Sequence, residues 1–175
     1  VEEILATVHE IAPSKRVALR SRVKHFQRIG LLPQLKTGTG TRAPYTIEDL
    51  LQLMLAFQML ELGLTPERIK ALLRDWPMVR QSVFQAVTRR GLQKVFIELY
   101  PSALSGLREP TSEIEEISNA LLPFDADELV DRIKGPAGAP APMALVDVSE
   151  MVNRVRAALR QAAPDFDYVG SVMDF

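Results

Sequence analysis

Proline and glycine punctuate the first 77 residues so closely that only short helices fit between them. Pro13 closes a first helix predicted over Glu2–Ala12, because the residue before a proline is pushed out of the α region. That helix carries Ile4, Leu5, Val8, Ile11 and Ala12 on one face. Ser14 is placed to cap a second helix running to about Ile29, with Gly30 as its stop. Leu19, Val23 and Phe26 form the apolar stripe of this helix, and Arg20, Ser21, Lys24, His25 and Arg28 lie around the other side. Gln34–Tyr45, with Gly38, Gly40 and Pro44, reads as a loop or short hairpin. Thr46 and Asp49 form a capping box, made with Asp in place of Glu, for a helix over Ile47–Leu62 that Gly63 stops. Thr65-Pro66-Glu67 then reads as N-cap, proline at the first helical position and an acid in the first turn. Ile69, Leu72 and Leu73 make the inner face of that short helix, which ends by Trp76-Pro77.

The remainder is mixed. A helix is predicted over Val79–Arg90 and a strand over Lys94–Tyr100, while Ser112–Leu122 fits either a strand or a helix. Asp125 is placed to cap a helix to Lys134, and Gly135–Pro142 reads as a linker. Met143–Val148 reads as a buried strand. Ser149 then caps a final helix with Val152, Val155, Ala158, Leu159 and Ala162 inside. The expected fold class is mostly α with a small α/β part.

Several kinds of chemistry are excluded. The chain has no cysteine, so a disulfide scaffold, a thiolate metal site and a thiol nucleophile are ruled out. His9 and His25, the only histidines, lack a histidine partner at helical spacing, so a metal pair is not expected. No phosphate-binding, nucleophile-elbow or zinc-protease motif occurs. Glu113, Glu115 and Glu116 read as a solvated face, and Asp147, at the end of a strand, reads as a turn cap rather than a catalytic carboxylate. The expectation is a protein that is not an enzyme and needs no cofactor. The most apolar run, Leu50–Leu64, is interrupted by Gln52, Gln58 and Glu61 and is too short to span a bilayer. The chain starts at Val1 rather than Met, which reads as a processed or trimmed N-terminus.

The net charge of −1 conceals a division. From Ile11 to Ile47 there is no Asp or Glu, yet the stretch holds Lys15, Arg16, Arg20, Arg22, Lys24, Arg28, Lys36 and Arg42. Residues 1–76 carry 11 cations against 8 acids, and residues 77–175 carry 10 against 14. Cations gathered on one helix face and one loop, without acids between them, suit the phosphates of double-stranded DNA. A helix of this kind can enter the major groove while a glycine-bearing basic loop lies along the backbone.

Three segments resemble the MerR family of transcription regulators: RVKHFQRIGLLP (Arg22–Pro33), GTRAPYTIEDL (Gly40–Leu50) and LELGLTPERIKALL (Leu60–Leu73). The resemblance covers about residues 4–76. It implies a winged helix-turn-helix in which the first segment ends the recognition helix, the second is the wing, and the third turns into the last helix of the domain. Several departures accompany it. His25 and Phe26 stand where the family has two aromatics, the wing carries an extra residue and Pro44, and the corner Ala12–Val17 matches poorly. The family's long dimer helix is cut off at Trp76-Pro77, and thiol-based sensing is impossible without cysteine.

These readings assign residues 1–76 to a MerR-like winged helix domain and residues 77–164 to a small α/β domain for dimerisation or partner contact. Residues 165–175 form an acidic tail, read either as a frayed terminus or as a contact for RNA polymerase. The candidate DNA-binding residues are Arg16, Val17, Arg20, Ser21, Arg22, Lys24, His25, Arg28, Lys36, Arg42 and Tyr45. Arg20, Ser21 and Lys24 are the candidate base readers, whereas Arg28, Lys36, Arg42 and Tyr45 are assigned to phosphates. Val17 either meets a thymine methyl or is buried in the corner. The expected role is a sequence-specific, dimeric, double-stranded-DNA-binding transcription regulator in a bacterial cytoplasm, associated with the nucleoid and with no membrane partner. The surfaces proposed for pairing two copies are the two apolar strands and the final helix. Two other readings stay open: an architectural or mobile-element protein of excisionase or packaging type, or a protein-interaction module without DNA.

Overall fold

The computed structural model describes residues 1–32, 45–74, 77–80, 94–99, 122–134 and 144–162. The described chain is mostly helical with one small sheet. Its elements are α1 (Glu2–Val8), a 3-10 turn (Pro13–Lys15), α2 (Arg16–Arg28), α3 (Ile47–Glu61), α4 (Pro66–Leu72), β1 (Val95–Leu99), β2 (Leu122–Asp125), a second 3-10 turn (Ala126–Glu128), α5 (Leu129–Lys134), β3 (Ala144–Asp147) and α6 (Val148–Ala162). No described helix is long and apolar enough to cross a membrane.

The chain divides into two compact units, Val1–Phe57 with Met151–Phe175, and Gln58–Glu150. The division falls within α3, and the final helix belongs mainly with the N-terminal unit. It therefore follows other lines than the 1–76, 77–164 and 165–175 ranges read along the sequence.

In the first unit the core is built from Leu5 and Val8 of α1, Leu19, Val23 and Phe26 of α2, and Leu50, Leu53, Met54 and Phe57 of α3. Met151, Val152, Val155, Ala158 and Leu159 of α6 are also buried. The α2 stripe is the one expected from its spacing. Ala162 is exposed and does not share the buried face predicted for it. Glu10 of this unit pairs with Arg154 of α6 at 3.1 Å.

The helix ends share a device. After α1, α2 and α3 the chain closes with the same pair of backbone bonds, Glu10 N–H to Thr7 O with Ile11 N–H to Ala6 O, then Gly30 to Gln27 with Leu31 to Phe26, then Gly63 to Leu60 with Leu64 to Met59. This closure needs a left-handed residue at the turn. Gly30 and Gly63 supply it at φ 78° and 84°, and Glu10 is driven into it at φ 51°. The first helix therefore stops before the predicted Ala12, because its cap forms at Glu10 and Pro13 opens the next turn instead. Ser14 lies inside that turn and is not a cap; α2 begins after Lys15 with no side-chain cap bond.

The start of α3 confirms the capping box. Thr46 N–H and Oγ1 both donate to Asp49 Oδ2, at 2.7 and 2.9 Å, and Asp49 N–H returns to Thr46 Oγ1 at 3.1 Å. In the second unit Arg68 N–H donates to Thr65 Oγ1, and Pro66 occupies the first turn of α4, as predicted.

That unit also holds the sheet, in the order β2-β1-β3, both pairings antiparallel. Phe96 stands directly opposite Phe124, with ring centroids 5.8 Å apart and nearly stacked. Such a cross-strand aromatic pair helps set register. β1 does not alternate as its sequence suggests: as the middle strand it buries Val95, Ile97, Glu98 and Leu99. Asp125 is the last residue of β2, and the 3-10 turn intervenes before α5. Asp147, not Ser149, caps α6 by accepting from Glu150 N–H at 2.8 Å, while Ser149 Oγ accepts from Val95 N–H at 2.9 Å.

Candidate nucleic-acid interface

Helix α2 separates its two faces cleanly. At about 100° per residue, Val17, Ser21, Lys24 and Arg28 fall within about 60° of arc, directly opposite Leu19, Val23 and Phe26. All four are exposed, and Val17 retains 74% of its surface. That exposure rules out burial of Val17 in the corner.

The cations of α2 differ in what already holds them. Arg16 pairs with Glu3 at 2.5 Å, and Arg20 donates from Nε to Glu2 at 2.8 Å, so α1 supplies acids to one flank of the helix. Among the described residues Arg22, Lys24 and Arg28 are in no ion pair. Arg22 lies on the other flank, away from the outward ridge. His25 is half-buried and, with Arg28, sits in the last turn, where cations favour the negative end of the helix dipole. Ser21 Oγ–H donates to the Val17 carbonyl at 3.0 Å.

Three contacts fix α2 on its support. Phe57 of α3 meets Phe26 edge-on at 5.7 Å and His9 at 5.5 Å, tying three helices together. His9 is thus half-buried against an aromatic ring. Buried Gln52 donates from Nε2 to the Leu31 carbonyl at 2.9 Å, holding the exit of α2 against α3. Gln27 Nε2 donates to the Tyr45 hydroxyl at 2.6 Å, which brings the start of the next segment onto α2. Lys36 and Arg42 lie outside the described residues, as does the rest of the proposed wing. The Glu113, Glu115 and Glu116 cluster, the Val79–Arg90 helix beyond Arg80, and the tail also fall outside them.

The sequence reading missed Glu2, Glu3, Gln27 and Gln52. A signal existed for the first two, since an acidic pair at the start of one helix lies close along the chain to a wholly basic helix. Gln52 was visible only as one of several polar residues in α3 that share no face.

Residues 19–76 match the family described as MerR HTH family regulatory protein. The match covers about a third of the chain and starts inside α2, later than the residue 4 expected from the sequence. No curated protein and no solved structure matched. Residues 19–76 are thus similar to a MerR-type helix-turn-helix, and most of the exposed basic helix α2 falls within the matched stretch.

Proposed function

We propose that the chain is a sequence-specific double-stranded-DNA-binding transcription regulator acting as a dimer. In this reading residues 1–76 bind DNA, α2 lies in the major groove, and the basic loop around Lys36 and Arg42 grips the backbone as a wing. The protein then needs no catalytic group and no cofactor, and it works in a bacterial cytoplasm. The observation that carries the reading is the outward ridge of α2, an exposed apolar residue, a hydroxyl and two cations in no ion pair among the described residues, with no acid on the ridge. An acid-free cationic surface avoids repelling phosphates and gains by releasing counterions.

The apolar residues first offered for pairing two copies have another use. Val95, Ile97, Leu99 and Val146 of the strands and Val152, Val155 and Leu159 of α6 are buried within one chain. A dimer therefore needs a different surface, and a C₂ partner would still match a two-fold operator.

Titration of labelled genomic duplexes at several salt concentrations tests DNA binding. The expected result is measurable affinity that falls linearly on a log–log salt plot. Failure to bind any fragment at low salt would falsify the reading. Reporter fusions at bound sites separate it from an architectural role, which would leave transcription unchanged. Sedimentation of the full chain tests the dimer.

A further inference from the structure

Building on the DNA-binding reading, we infer that Val17 and Ser21 together read a thymine and, about two base steps away, an adenine or cytosine on the strand that Ser21 faces. Val17 is an exposed branched hydrophobe on the ridge pointing away from the core, beside Ser21 and Lys24. The apolar feature that the major groove offers to such a side chain is the C5-methyl of thymine.

Ser21 stands one turn further on, about 6 Å along the axis, which is close to two base steps. Its hydroxyl proton is committed to the Val17 carbonyl. What the side chain turns outward is therefore an oxygen acceptor. Adenine N6 and cytosine N4 are the amine donors in the major groove; guanine and thymine present acceptors there. Ser21 would have to break its bond to the helix backbone to satisfy either of those. One hydrogen bond thus converts a hydroxyl that suits any base into a discriminating group.

The flanking charges leave this pair central. Arg16 and Arg20 are drawn towards Glu3 and Glu2, to one side of the ridge. Lys24 and Arg28 continue the ridge beyond Ser21. Val17 precedes the matched residues 19–76 and Ser21 lies within them, both on the same helix.

The test begins with selection of bound duplexes from a randomised library, using the full chain and its Val17→Ala and Ser21→Ala variants, both at exposed positions. The wild type should enrich a thymine with an adenine or cytosine about two steps away. Replacing that thymine by deoxyuridine should weaken binding about fourfold, the equivalent of one buried methylene. Val17→Ala should bind thymine and deoxyuridine alike, and Ser21→Ala should lose the adenine-or-cytosine preference. A wild type indifferent to deoxyuridine, or a Val17→Ala variant that keeps the discrimination, overturns the inference while leaving DNA binding intact. Absence of any selected duplex overturns both.

Discussion

Neutralising the two acids of α1 should strengthen DNA binding. Glu2 and Glu3 each hold one arginine of α2, at 2.8 and 2.5 Å. In both pairs at least one partner is well exposed, so each is worth only about 0.2–1 kcal/mol. The double variant Glu2→Gln/Glu3→Gln releases Arg16 and Arg20 for DNA. Breaking the two pairs no longer opposes binding, a gain of about 0.4–2 kcal/mol, or roughly 2- to 30-fold in affinity. The salt dependence provides a sharper readout. Each phosphate that a released arginine neutralises steepens the log–log slope by about 0.9 units. The same substitutions remove acids from the first turn of α1, where they favour the helix dipole by about 0.3–1 kcal/mol each, so a modest loss of stability accompanies the gain. Fluorescence anisotropy over a salt series, beside a urea melt, measures both. A variant that stays folded and binds with unchanged affinity and slope would show that Arg16 and Arg20 do not face DNA.

Other substitutions test the scaffold. Gly63→Ala should cost on the order of 1 kcal/mol in a thermal or urea melt, and the loss is backbone strain alone, because φ is 84° and an added Cβ meets nothing within 4 Å. Glu10→Gly should have the opposite sign, a gain of up to about 1 kcal/mol, since the strain it relieves exceeds the exposed pair with Arg154 that it removes. A loss there would mean that the ion pair outweighs the strain. Gln52→Leu keeps the side chain's bulk but strands the buried Leu31 carbonyl, and should cost about 1–3 kcal/mol by chemical denaturation. Asp147→Ala removes both the α6 cap and the pair with Lys94, and a melt should fall by about 1 kcal/mol.

Short-range physics was legible in the residues. The Leu19-Val23-Phe26 stripe, the Thr46–Asp49 box and the Thr65 cap each depend on groups within one or two turns of one another. So does the stop at Gly30, where the sequence already supplies the residue that tolerates positive φ. Glu10 shows the limit of this reasoning. No local preference marks it as a left-handed residue, and only the observed closure of α1 reveals the conformation.

The cap misread as Ser149 has a clear cause. A hydroxyl or carboxylate near a helix start is a cap only if nothing else claims it. Ser149 is claimed by Val95, which is 54 residues away in the chain and brought near by folding. Strand order could not be read for the same reason, since pairing of β1 with both β2 and β3 depends on partners remote in sequence.

By itself the sequence determined that short helices carry an acid-free basic face beside a buried stripe, because periodicity and charge are properties of neighbouring residues. Tertiary structure decided which cations are already held by Glu2 and Glu3, that Val17 is exposed, and which residues fasten α2 to α3. Those outcomes depend on the approach of separate elements, and pattern along one helix does not encode that approach.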